Sequence, residues 1–322
     1  MDQSSLRAGY FGKLPMFGDF IRLNAAGPEI TALDQWIQEG LLAAKSRLAS
    51  AWDGAYQQAP AYRFLFYPEN AEHLLAGVLQ KSQDKSGRKF PFIVSIKMRL
   101  AQYRNEELAA TPALLNSFYE NAEALLRRLN SGQNVPETLA QTGSLCLNSS
   151  PPHETKWLEN RLAAATAEEF WTALLGRFDD PLKFLIFKNL SEILLPWRDK
   201  TPRRLSLGLR FPLGVAGPMM PLSASFWLQM SLRLLRSPRL MSNYFWTAAA
   251  EDRPSYFFLF FRRPSAGAFA SLLQPDLQND HLCALEIEGL EKLADAANNL
   301  PAAWPALLEN PKLSLQEFLQ SL

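Results

Sequence analysis

Histidine and cysteine are scarce in this chain, with three and two residues among 322. Cysteines as distant as Cys146 and Cys283 build no disulfide framework, and two alone cannot complete a four-ligand zinc site. His73, His153 and His281 stand far apart, with no HExxH, HxH or CxxC spacing, so each reads as a surface or capping residue. An excess of one charge is missing as well. The formal net charge is +1, which gives no global pull towards nucleic acid or acidic membranes. No apolar run approaches the roughly 20 residues needed to span a bilayer. The longest candidate, Leu222–Leu235, is interrupted by Ser231 and Arg233 and reads as a buried helix. Met1–Arg7 lacks the basic-then-apolar pattern of a secretory signal. These absences lead to the expectation of a cytoplasmic protein in a reducing compartment, without cofactor, metal or membrane span.

The catalytic inventory is equally thin. There is no GxSxG elbow, Walker A loop or kinase signature. Gly9, Gly12 and Gly18 follow a strand pattern, but their spacing is not GxGxxG, so a dinucleotide site is not expected.

What the chain does have is apolar residues at 48% and charged residues at 20%, ordinary proportions for a globular core of native size. Ala8–Leu14 reads as a strand entering a loop through Gly18 and Asp19. Leu33, Trp36, Ile37, Leu41, Ala44, Leu48 and Trp52 share one helical face, with Thr31 and Asp34 at capping-box spacing. Tyr62–Tyr67 reads as a buried strand, and Ala76–Gln80 and Phe90–Met98 as a hairpin around a polar turn. A helix over Leu114–Leu129 is closed by Gly132 and Pro136. Helical patterns follow over His153–Ala165, Glu168–Arg177 and Pro181–Leu195. The last third gives strands at Leu205–Leu213, Asn243–Ala248 and Tyr256–Arg262, and helices at Ser225–Leu235, Ala266–Leu273, Glu286–Ala297 and Leu315–Leu322.

Alternating strands and helices predict an α/β fold, a three-layer α/β/α sandwich on a central mixed sheet with additional helices in the middle of the chain. The corresponding division is an N-terminal α/β region over 1–130, a helical insert or cover over 131–200, and a C-terminal α/β region over 201–322. The last would complete the same or an adjoining sheet. The aromatic strands near Tyr244–Trp246 and Tyr256–Phe261 read as buried on both faces rather than as an exposed edge.

Two features invite a functional reading. The loop Ser82-Gln-Asp84-Lys-Ser-Gly87-Arg88 could cradle an anion or line a hydrolytic site. Its structural reading makes Asp84 and Gly87 the turn and lets Arg88 pair locally or with a distant carboxylate. Charge is also segregated. Thr201–Ala250 holds six arginines (Arg203, Arg204, Arg210, Arg233, Arg236, Arg239) and no acidic residue, whereas Asp276–Leu322 holds eight carboxylates. The arginines could dock an acidic or phosphorylated partner, or the two segments could pack against each other. Nucleic acid is not expected, because the nearby aromatics fit core positions.

Two ordered strings carry a family resemblance. Gly9-Tyr-Phe-Gly12-Lys13-Leu-Pro15 followed by Gly18-Asp19-Phe20 resembles the GxxGKLPxxGDF opening of TagF (ImpM) proteins. Ser82-x-Asp84-x-x-Gly87-Arg88-x-Phe90-Pro91-Phe92 is similar to their SxDxxGRxFP string. Trp36, the Tyr62-Arg-Phe64 segment, Gly77-Val78, Phe245-Trp246-Thr247 and Phe269 match in order. The resemblance implies an α/β accessory protein of bacterial type VI secretion, without catalytic residues or cofactor. It further implies a post-translational repressor of apparatus assembly that holds a forkhead-associated scaffold protein inactive. The motif residues themselves read as structural or partner-binding: Gly12 and Gly18 for tight turns, Pro15 for loop rigidity and Asp19 as a cap. A phosphate-handling hydrolase using Asp84 and Arg88, or a structural accessory of the apparatus, stand as alternatives. Neither the helical middle nor the acidic tail takes a role from the resemblance.

Overall fold

The computed structural model describes residues 6–69, 71–103, 105–147, 155–200, 205–215, 217–236, 241–247, 254–287, 293 and 295–322. The first long helix, α1 (Pro28–Leu48), buries Ile30, Leu33, Trp36, Ile37, Gly40, Ala44 and Leu48, a three-to-four residue rhythm that aims one stripe at the sheet. It starts earlier than the Thr31–Asp34 spacing predicts. Gly27 is the N-cap and Pro28 sits in the first turn, where its missing N–H costs nothing. The Thr31 hydroxyl instead donates to the Gly27 carbonyl one turn back. Glu29 near the start and Lys45 and Arg47 near the end complement the helix dipole. Gly40 is required by packing, because a Cβ there would lie 2.6 Å from the Phe269 side chain.

Nine strands of the described residues form one sheet. They are β2 (Gly9–Gly12), β3 (Ile21–Leu23), β4 (Tyr62–Phe66), β5 (His73–Gln80), β6 (Phe92–Arg99), β8 (Gly208–Gly214), β9 (Asn243–Thr247), β10 (Ser255–Phe260) and β11 (Leu282–Ala284), in the order β11-β8-β10-β9-β4-β5-β6-β2-β3. All neighbours are antiparallel except β11 and β8, so the sheet is mixed. The early and late strands meet at β4 and β9, where Phe64 lies opposite Phe245 and Arg63 opposite Trp246. The two strand sets therefore share one sheet. A separate two-stranded ribbon pairs β1 (Leu6–Arg7) with β7 (Cys146–Leu147).

Central strands are buried on both sides, as their unbroken apolar runs demand. Tyr62, Phe64, Phe66, Phe245, Phe258 and Phe260 pack with α1 and with α11 (Phe269–Leu273). Val78, Val94, Ile96, Trp246 and Phe257 face the other way, towards helices of the middle of the chain. Those include α5 (Asn116–Asn130), α8 (Ala167–Leu175), α9 (Leu182–Leu194) and α10 (Met220–Leu235). Each buried large side chain contributes about 1.5–3 kcal/mol, which makes this two-sided core the main stabilising element. The three-layer α/β/α expectation holds.

Several elements depart from their sequence reading. Gly132, at φ 72°, ends α5 as expected, but Pro136 lies in the first turn of α6 (Val135–Ser144) rather than closing the segment. Helix α10 begins at Met220, again with proline in its first turn. Half of the expected helix over 286–297 and all of the expected loop over 148–152 fall outside the described residues. Among the described residues, no helix is long and apolar enough to cross a membrane.

A buried ion pair links the sheet to its helical cover. Arg63 of β4 points at α5, where its Nε is 2.5 Å from Glu123 Oε1 and its Nη2 is 3.1 Å from Oε2. Its Nη1 donates to Asn116 Oδ1 at 2.7 Å. The guanidinium also lies 5.7 Å from the Tyr119 ring centroid. Such a bidentate pair, with further donors engaged, is the geometry in which burying two charges is offset.

Candidate functional site

The loop leaving β2 and the loop between β5 and β6 carry the two motif strings, and the sheet places them side by side. Asp84 is the hub. Its Oδ1 accepts from the backbone N–H groups of Ser86 (2.9 Å) and Arg88 (3.0 Å). Its Oδ2 accepts from Lys13 Nζ (2.9 Å) and Arg88 Nε (2.6 Å). Burial opposes ionisation of this carboxyl. The Lys13 ammonium and the Arg88 and Ser86 donors outweigh it and hold the Asp84 pKa well below the usual carboxylate range. The turn closes through Gly87, at φ 80°, as the structural reading of this loop anticipates.

The second tie between the loops runs through backbone groups. Arg88 Nη2 donates to the Gly18 carbonyl at 2.7 Å, and Lys85 N–H donates to the Phe17 carbonyl at 2.8 Å. Pro15 sits inside a turn closed by Phe17 N–H to Leu14 O at 3.0 Å. Gly12, at φ 135°, lets β2 pass directly over Pro91, whose carbonyl a Cβ would strike. Gly18 has no positive φ and open space around it, so it supplies a carbonyl to Arg88 rather than a tight turn. Asp19 accepts from its neighbour Phe20 N–H at 2.8 Å and leads into strand β3, so it caps no helix. Buried Phe90 packs on Phe11 and meets the edge of Phe20 at 4.7 Å. Behind the hub, the Tyr56 hydroxyl donates to the Ser82 carbonyl at 2.7 Å, and Ser82 Oγ donates to Asn130 of α5 at 3.1 Å.

With these polar groups committed to holding two loops together, the outer rim is apolar and basic. Met16 and Phe20, exposed large hydrophobics of the described residues, lie on the loop leaving β2, whereas exposed Leu23 pairs with Tyr10 further along β3 and lies beside Gly143 of α6. Arg22, Lys85 and Arg88 are exposed around them, against Asp19. Single exposed apolar residues are ordinary, but two of them beside exposed basic side chains fit a protein-binding face.

The remaining sequence candidates lie elsewhere. Trp36 is in the core, stacked 5.0 Å from Phe245. Trp246 packs edge-on to Tyr119 at 4.9 Å, and Thr247 Oγ1 accepts from Tyr256 N–H at 3.1 Å. The six arginines of 201–250 are only partly described. Arg203, Arg204 and Arg239 lie outside the described residues. Arg210 is 2% exposed, its Nη2 2.5 Å from Glu286 Oε1 and its Nη1 3.5 Å from Asp276, so for this residue the internal pairing replaces the docking role. Arg233 donates to the Leu319 carbonyl at 3.1 Å, and Arg236 ends α10 at φ 48°. Among the described residues no cluster of histidine, cysteine and carboxylate has metal-binding geometry. His73 stands 3.3 Å from buried Glu29, His281 lies against Gly267, and His153 is outside the described residues.

A family model described as the TagF N-terminal domain, type VI secretion system-associated, matches residues 9–143. Residues 9–143 are therefore similar to the type VI secretion-associated TagF N-terminal domain. Both motif strings, the Asp84 hub and the Arg63–Glu123 pair fall inside the matched range, and β8–β11 lie beyond it. No curated protein matches the chain in sequence. Among solved structures, the crystal structure of PA0076 from Pseudomonas aeruginosa PAO1 superposes with a TM-score of 0.53 at 17% identity, covering 84% of this chain and 96% of that one. At that identity the likeness is one of fold, and it covers more of the chain than the matched domain does.

Sequence reasoning missed the exposure of Met16 and Phe20 and the Arg63–Glu123 pair. A signal for the latter existed, because Arg63 is the one charged residue within the apolar run Tyr62–Tyr67.

Proposed function

We propose that this chain is a TagF-family protein, a non-catalytic, post-translational repressor of type VI secretion assembly, acting in the cytoplasm by binding a forkhead-associated scaffold protein. The observation that carries the reading is the division of labour at the motif loops. Asp84, Lys13 and Arg88 hold the two loops together, and these loops carry exposed Met16, Phe20 and Lys85, with Arg22 exposed on the adjoining strand. A rigid face with apolar anchors and basic neighbours is pre-organised for a partner that carries acidic residues around an apolar spot. The hydrolase alternative has less support. The Asp84 carboxylate is buried, and both oxygens already accept hydrogen bonds from within the chain, which leaves it poorly placed to activate water.

The test is co-purification with the scaffold protein of the same secretion cluster, alongside a secretion assay. The proposal expects complex formation, release of secretion on deletion, and loss of both binding and repression in a Phe20→Ser, Lys85→Glu double variant. Loss of secretion on deletion would instead favour a structural accessory. Repression by a variant that no longer binds would remove the mechanism.

A further inference from the structure

Two strands of the described residues end the large sheet, and they differ in access. At one end β11 is half-buried along its length, pairs parallel to β8 and runs into buried Leu285. At the other end β3 pairs with β2 on one side and, among the described residues, with no strand on the other. Its register sets Arg22 opposite Phe11, a member of the core on the α1 side, so Arg22 lies on that face. Ile21 packs with the core on the opposite face. Arg22, Leu23 and Asn24 are all exposed, and Leu23 stays 40% exposed although it lies beside Gly143 of α6.

An unpaired edge offers its backbone N–H and C=O groups to a further strand. The approach to this edge is already ordered. Arg88 Nη2 holds the Gly18 carbonyl, and Asp19 accepts from Phe20 N–H just before the strand begins. Little ordering is left for an added strand to impose on the chain.

The central residue of β3 then decides the occupant. Arg22 is exposed and forms no ion pair among the described residues. A second copy of this chain, paired antiparallel about the centre of β3, would bring Arg22 against Arg22, and like charges directly opposite are unfavourable. A strand with aspartate or glutamate opposite Arg22 gains a cross-strand pair instead. Apolar residues on either side of that carboxylate would lie beside Ile21 and Leu23 on the other face.

We propose that β3 accepts an added strand from the partner, an extended segment of apolar-acidic-apolar pattern whose carboxylate meets Arg22. The proposal rests on the reading that the motif loops and this adjoining strand form the binding face, and it specifies the form in which the partner arrives.

The test titrates a capped synthetic peptide, Thr-Val-Glu-Val-Thr, into the isotope-labelled full chain and follows its amide resonances. Saturable binding with Kd about 1 mM or tighter, and shifts centred on Ile21–Leu23, are expected. Replacing the peptide's glutamate by lysine should weaken binding about fivefold, the worth of one charge contact near the surface. Arg22→Glu should reverse that preference and keep the unfolding midpoint, because the side chain is exposed. Backbone pairing adds an alternation that a side-chain contact alone would not show. N-methylation of both valines and N-methylation of the glutamate block opposite edges of the peptide, so one should abolish binding and the other should leave it. Equal binding of the glutamate and lysine peptides, both methylated peptides binding, neither binding, or no saturable binding would each overturn the proposal. Any of these results alongside scaffold binding removes strand addition and keeps the proposed function, whereas strand addition without scaffold binding does the reverse.

Discussion

Asp84 and Glu286 are both carboxylates in largely buried positions beside arginine, and their pKa values move in opposite directions. At Asp84 burial is outweighed by Lys13, by Arg88 and by two backbone N–H groups, so the charge is held. At Glu286 burial dominates, a nearby Asp276 adds to it, and the Arg210 guanidinium does not reverse the upward shift. The difference lies in what each carboxylate organises. Asp84 orders a loop backbone and joins two distant segments. Glu286 chiefly neutralises an arginine whose other contacts brace Pro275 and Tyr256. A buried charge that also closes a backbone turn is harder to replace than one that only neutralises a partner.

The comparison breaks most visibly by deletion. Asp84→Ala strips four hydrogen bonds and leaves Lys13 buried without its carboxylate. A fall in the thermal midpoint of about 10 °C is expected by scanning calorimetry. Next comes Glu123→Ala, which leaves the Arg63 guanidinium uncompensated under α5. It should cost about 3–5 kcal/mol in urea unfolding.

Joint replacement sharpens the contrast. Arg210→Met with Glu286→Leu removes both charges from one cluster and should change stability by about 1 kcal/mol or less. Lys13→Met with Asp84→Leu should remain clearly destabilised, because the Ser86 and Arg88 N–H groups lose their acceptor. Equal losses in the two double variants would break the comparison.

Acidity gives a smaller effect of opposite sign in the two clusters. The folded Asp84 pKa is lowered, so its stabilisation is full above the unfolded value of about 4 and fades as pH falls below it. The folded Glu286 pKa is raised, so its contribution is most favourable below about pH 4, declines as pH rises towards the raised value, and is flat beyond it. The acid limb of unfolding measured across this range should become shallower in Asp84→Asn, with Glu29, Glu169 and Glu317 supplying what remains. The shallow decline above about pH 4 should vanish in Glu286→Gln.

Much of this architecture is written in local pattern. The α1 stripe through Leu33, Trp36 and Ile37 and the two-sided strands around Tyr62–Phe66 and Asn243–Thr247 follow from periodicity alone. What escaped was set by tertiary context or by very short elements. Pro136 looks like a breaker but occupies a first turn, and Thr31 mimics a cap inside a helix that Gly27 and Pro28 have already begun. Edge strands β3 and β11 are three residues each, too brief for alternation to register. At the motif loops, the turn role of Asp84 and Gly87 was legible from chemistry. The Lys13 contact spans 71 positions and the exposed rim depends on how two loops meet, so neither could be read locally.

Engagement of the forkhead-associated scaffold by the face built on the Asp84 hub is a proposal. The most direct measurement is amide hydrogen exchange on the full chain with and without that scaffold. The account predicts added protection confined to residues 13–23 and 82–91, lost in the Phe20→Ser, Lys85→Glu variant. Binding that leaves both segments unchanged and protects another surface would contradict it.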